Sequence, residues 1–138
     1  TWESKKRFSM DWHYPVLCGV IDGKKAEERI SSRWNKYVLN EKGCLCVSDQ
    51  PWVTIAETAE LAIALIKIEK KDKARELLSW IEKYIDADGA YWMGRQVYEK
   101  VFWPMEKPGW TSAAVILAYD ALNNFSKGSK IFLDDRLI

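Results

Sequence analysis

Four carboxylates and one imidazole stand in settings that acid–base chemistry can use, two of the carboxylates and the imidazole beside aromatic residues. Asp11, Trp12, His13 and Tyr14 are consecutive, and His13 is the only histidine. An imidazole beside a carboxylate titrates near physiological pH and can shuttle a proton. Its plainer use is an aromatic helix entry in which the ring makes one hydrogen bond. Asp49 precedes Pro51 and Trp52 in an equivalent setting, where it is either an acid–base group or a cap on the turn or helix that follows. Glu57 shares a stripe with Thr54 and Thr58, and Glu60 lies one turn on. A carboxyl on a water-poor wall has its pKa raised and holds a proton near neutrality. The alternative for Glu57 and Glu60 is pairing with a neighbouring Lys or Arg. No serine or cysteine placed for a triad accompanies His13.

Cys44 and Cys46 put two thiols on one side of an extended segment, with only Cys18 and His13 left to complete a zinc set. Zinc prefers four ligands at wider spacing, so the cysteines read as small buried apolar residues. No metal and no cofactor is expected. Trp12, Tyr14, Trp52, Tyr91, Trp92, Trp103 and Trp110 gather at helix mouths and in one long connection. Their faces suit a sugar, an isoprenoid chain or a carbocation, and part of the set is expected only to pack. Arg95 in the same connection is a candidate for holding a phosphate or carboxylate.

Helices must position these groups. Residues 44 to 65 begin extended, turn at Asp49-Gln50-Pro51 and enter a helix apolar on nearly every side, hence buried. Before it, residues 11 to 22 read as an inner helix with Pro15 in its first turn and Gly23 as its stop. Lys24 to Leu39 reads as an amphipathic outer helix, with Ala26, Ile30, Trp34 and Tyr37 at steps of three and four. Asp72 can cap a second outer helix whose apolar face is Ala74, Leu77, Leu78, Ile81 and Tyr84. Residues 86 to 109 form a connection far longer than usual, too aromatic for disorder. Thr111 to Leu122 is again apolar nearly all round, and residues 125 to 138 are an unplaced tail.

The order inner, outer, inner, outer, inner carries an internal repeat: Trp12, Trp52 and Trp110 open inner helices, and Trp34 and Trp80 sit late in outer ones. The expectation is a single all-α domain of antiparallel hairpins. With 138 residues, 48% of them hydrophobic, the chain can build a core. Its 21 basic and 20 acidic side chains leave net +1, which argues against nucleic acid. No apolar run approaches the roughly 20 residues that span a bilayer. Three cysteines suggest no disulfide framework, making the cytoplasm the default.

The segments YIDADGAYWMG, WTSAAVILAYDAL and SDQPWVTIAETAELAIAL resemble the repeat of the terpenoid-cyclase and protein-prenyltransferase superfamily, an α/α toroid, over residues 11 to 122. The resemblance implies about half of such a ring. It implies a prenyltransferase- or cyclase-like domain with an apolar or isoprenoid ligand in an aromatic-lined cavity, where Asp11, His13, Asp49 and Glu57 supply the polar groups. It also implies self-association, or a remainder of the chain, to cover the ring's open flanks. Two alternatives stand beside it. One is a carbohydrate-active α/α barrel with paired carboxylates and sugar-stacking tryptophans. The other is a non-catalytic helical scaffold.

Overall fold

The computed structural model describes residues 4–134. Its centre is α4 (Ile55–Lys67), against which α1 (Ser9–Leu17), α5 (Lys71–Ile81) and α6 (Gly109–Asn123) all pack. Ile55, Ala56, Ala59 and every residue from Leu61 to Ile66 are buried. Leucine or isoleucine buried this fully contributes about 1.5–3 kcal/mol per side chain. The all-round apolar sequence of α4 thus has its physical cause in neighbours on three sides.

The all-α expectation is overturned. Helix makes up 53% of the chain, and five strands among the described residues form two antiparallel sheets. β1 (Val38–Leu39) and β2 (Gly43–Cys44) make a hairpin, while β3 (Trp52–Thr54) pairs with β4 (Gly94–Gln96), which pairs with β5 (Val101–Phe102). The molecule is therefore mixed α and β. The long aromatic connection is ordered because Gly94 to Gln96 finds a ladder partner some forty residues away, with Trp52 opposite Gln96 and Thr54 opposite Gly94. Strands of two or three residues show almost no period-two alternation, so periodicity alone misses them.

The expected outer helix over Lys24–Leu39 divides into α2 (Gly23–Ser32), a short α3 (Trp34–Tyr37) and β1. Gly23 opens α2 instead of closing α1, which ends at Leu17. Pro15 lies within α1, beyond the first turn. Its missing N–H leaves the Asp11 carbonyl without a helical partner, and Arg29 from α2 supplies one at 2.7 Å. Arg29 also donates to the Trp12 carbonyl at 2.7 Å, fastening α2 to α1.

Asp49 does not cap α4, whose N-cap is Thr54 with no side-chain hydrogen bond. β3 runs directly into the helix instead. At the β2 turn, Gly43 has φ +134°, and a Cβ there would stand 2.7 Å from Thr58 Oγ1. That hydroxyl accepts from Cys44 N at 2.8 Å and donates to the Thr54 carbonyl at 2.6 Å. α6 shows a face to solvent that its sequence does not announce: Ile116 is 67% exposed and Leu117 37%. The tail holds a 3-10 turn, Lys127–Lys130, and residues 135–138 lie outside the described part.

Candidate active site

The polar stripe of α4 divides between structure and surface. Thr54 and Thr58 are buried, Thr58 in the bonds just described, while Glu57 and Glu60 are half-buried one helical turn apart. Side chains three residues apart share a helix face. The Glu60 carboxylate accepts a hydrogen bond from the Tyr14 hydroxyl of α1 at 3.1 Å. Burial, with Glu57 adding like charge, pushes the Glu60 pKa up to about 7, against the pull of the Tyr14 bond. Burial and Glu60 drive the Tyr14 phenol well above its ordinary range. The Cys46 thiol is pushed up to about 12, first by burial and then by the neighbouring Glu57. The centre is thus two carboxyls, a phenol and a neutral thiol, with Glu60 holding a proton near neutrality.

Tyr14 also belongs to the wall of a cavity of about 630 Å³ built mainly from α1, beside Phe8, Met10, Asp11, Pro15 and Val20. The lining is mostly apolar, with the Tyr14 phenol, the Asp11 carboxylate, the Lys5 ammonium and the Cys18 thiol as its polar features.

The other candidate residues are dispersed. His13 is fully buried, and neither ring nitrogen has a hydrogen-bond partner within the protein. Burial lowers its pKa to about 4, against a weaker pull from the Ser9 backbone, so the ring is neutral at physiological pH. Trp12 is also fully buried; its Nε1 donates to the Arg29 carbonyl at 2.8 Å and its ring stacks on Tyr37. Asp49 is exposed and paired with Arg7 at 2.9 Å, which holds its carboxyl below the usual range.

The remaining aromatics surround the three-stranded sheet. Trp52 donates to the Trp103 carbonyl at 2.6 Å and meets that ring edge to face. Trp92 stacks on Phe102 at 4.9 Å, and Arg95 lies over the opposite partner of that stack, 5.0 Å from the Phe102 centroid. Tyr91 is buried, and its backbone N–H donates to Ser112 Oγ. Trp110 is 56% exposed in the first turn of α6. The structure brings Asp11 and Tyr14 to one cavity, while Glu57, which does not line it, acts on the Tyr14 phenol through its charge. It leaves Trp52, Trp92, Arg95 and Trp103 on the sheet. Glu60 stands in the sequence as an acid–base candidate with Asp49 and Glu57; its bond to Tyr14 joins residues 46 positions apart, which no local pattern displays. Among the described residues, no group of three or more His, Cys, Asp or Glu could hold a metal ion. No helix there is long and apolar enough to cross a membrane.

The chain matches no known family profile. It is 44% identical over 129 residues to a protein of Mycolicibacterium hassiacum named as an MMP endo-(1,4)-3-O-methyl-α-D-mannosidase. The match takes in 94% of this chain and 36% of that enzyme, so the chain spans about a third of its relative's length. This overturns the resemblance to prenyltransferases and terpenoid cyclases and, with it, the expectation of a transferase. That likeness lay in alternating buried and amphipathic helices joined by aromatic loops. Such an alternation follows from packing hairpins and specifies no chemistry.

Proposed function

We propose that this chain forms part of a glycoside hydrolase acting on an α-mannan whose sugars carry O-methyl groups. The observation that carries the reading is the 44% identity to the endo-mannosidase over nearly the whole of this chain. The Glu57–Glu60 centre supports it, because glycoside hydrolysis uses two carboxyls, one protonated and one ionised. Glu60 is the proton donor to the leaving oxygen: it keeps its proton up to about pH 7 and is held by Tyr14. Glu57 is the second carboxylate, one turn away on the same helix. The cavity of Phe8, Met10, Tyr14 and Val20 suits a methylated sugar, whose ether groups replace hydroxyls that would otherwise need polar partners. In the reaction the glycosidic C–O bond breaks and the Glu60 proton goes to the departing oxygen, while water bonds to the anomeric carbon as the new hydroxyl and its other proton returns to the carboxylate pair. The unit that works on polymer is larger than the wall supplied here.

The test is incubation of the protein with α-(1→4)-linked oligomers of 3-O-methylmannose, followed by mass spectrometry of the products. Shorter oligomers, absent with Glu60→Gln, are the expected result. Intact oligomers together with no saturable binding of them overturn the reading.

A further inference from the structure

Four cationic side chains from separate stretches converge on one concavity. Lys42 comes from the β1–β2 turn, Lys83 from the turn after α5, Arg95 from β4 and Lys100 from the β4–β5 turn. With Tyr84 and Val97 they line a cavity of about 540 Å³. Lys83 Nζ donates to the Glu41 backbone carbonyl, and the Glu41 carboxylate is the one acid favouring its charge. Burial, Lys42 and Arg95 all disfavour that charge and lower the Lys83 pKa. Among the described residues, none of Lys42, Arg95 and Lys100 forms an ion pair, whereas Arg7, Lys70, Arg75 and Lys107 elsewhere do.

Arg95 is also held in place before anything binds. Its guanidinium lies over Phe102, which stacks on Trp92 and meets Tyr84 edge to face at 6.2 Å. Its backbone is opposite Val53 in the ladder. A stacked guanidinium loses less freedom on forming a hydrogen-bonded fork than a free one. Exposed lysines taken singly are merely solvated. Gathered in a concavity where, among the described residues, Glu41 is the one acid acting on Lys83 and no ion pair engages the other three, they repel one another and focus a positive potential that an anion relieves. The volume exceeds that of a monatomic ion and lies in the range of small-molecule sites.

We propose that this cavity binds a small molecule bearing two or more oxyanion groups, phosphate or carboxylate. It shares no residue with the Glu57–Glu60 centre and does not rest on the hydrolase reading.

The experiment is calorimetric titration of the protein with inorganic pyrophosphate and, separately, with citrate, at about 20 mM and about 200 mM salt. Saturable one-site binding is expected, weakened at least tenfold by K83Q/R95Q and by the higher salt. The control K24Q/K25Q removes the same charge from α2 and leaves binding unchanged. Pyrophosphate alone identifies phosphate as the ligand group and citrate alone identifies carboxylate; either supports the site. Binding of neither overturns it. So does wild-type affinity in K83Q/R95Q, or an equal loss in the α2 control. Should K83Q/R95Q lose its far-ultraviolet dichroism, K42Q/K100Q, which alters two exposed side chains, gives the same reading.

Discussion

The Tyr14 hydroxyl donates to the Glu60 carboxylate at 3.1 Å, joining α1 to the central helix and a cavity wall to a carboxyl poised near neutrality. A donor to the ionised form favours that form, so the phenol lowers a pKa that burial and Glu57 raise. In the hydrolysis assay, kcat/KM therefore falls as pH rises through about 7, where Glu60 loses its proton. Tyr14→Phe moves this alkaline limb upward. Glu60→Gln lowers kcat by about 10²–10⁴-fold and abolishes the limb. A pH profile unchanged in Tyr14→Phe removes the coupling.

Glu60 also bears on stability. Its folded pKa of about 7 lies above the ordinary 4.5, so its favourable contribution is complete below pH 4.5 and is lost as pH rises through 7. Glu60→Gln should stabilise the protein at pH 8 by about 1 kcal/mol, less than the shift alone gives because the side chain is only half-buried. At pH 4 the gain should vanish. Denaturant melts at the two pH values decide it.

His13 acts in the opposite direction. Its folded pKa of about 4 lies below the ordinary 6.5, so stability is full above pH 6.5 and falls as pH drops toward 4. The loss approaches about 3 kcal/mol. His13→Phe keeps an aromatic ring without the charge and should flatten the melting temperature between pH 6.5 and 4. An equally steep decline in the variant would show that other groups set the acid limb.

Gly43→Ala tests the join between the first hairpin and α4. The added methyl would stand 2.7 Å from Thr58 Oγ1, at a φ that side chains rarely adopt. A loss of about 2 kcal/mol or more in urea unfolding is expected. Gly109→Ala, where a Cβ meets nothing within 4 Å, should stay within about 0.5 kcal/mol of wild type.

Lys107 spans Asp86 and Asp88 beside the Trp92 ring, and both carboxyls are held below their usual range by it. Lys107→Met should release the loop that leads into α6. Faster amide exchange at Gly89 and Ala90, with the core unchanged, is the expected signature.

The helices were legible in the sequence wherever burial is one-sided or complete. Ala74, Leu77, Leu78 and Ile81 form the buried face of α5 as their spacing requires, and the apolar run of α4 is the core. α6 read as more buried than it is, because Ile116 and Leu117 resemble core residues wherever they stand. The sheets were not legible. A strand such as Trp52–Thr54 is defined by its partner at Gly94–Gln96, and three residues carry no period of their own. The aromatic set misled for a related reason: Trp12 and Trp110 are the same residue type, yet one is wholly enclosed and the other mostly in water. The stripe of Thr54, Glu57 and Thr58 was visible through helical spacing, with Glu60 a candidate beside it, while the bond from Tyr14 to Glu60 depends on tertiary packing.

The uninterrupted passage from β3 into α4 makes the sheet a protractor for the helix. Three ladder pairs fix the strand, and Ile55 follows Thr54 with no residue between to absorb a rotation. Inserting or deleting one residue there would turn α4 by about 100°, sweeping Glu57 and Glu60 away from Tyr14. The length of that junction is thus a stricter requirement than the identity of its side chains. Homologous chains that keep both carboxyls should tolerate substitutions at Val53 while admitting no insertion between Trp52 and Glu57.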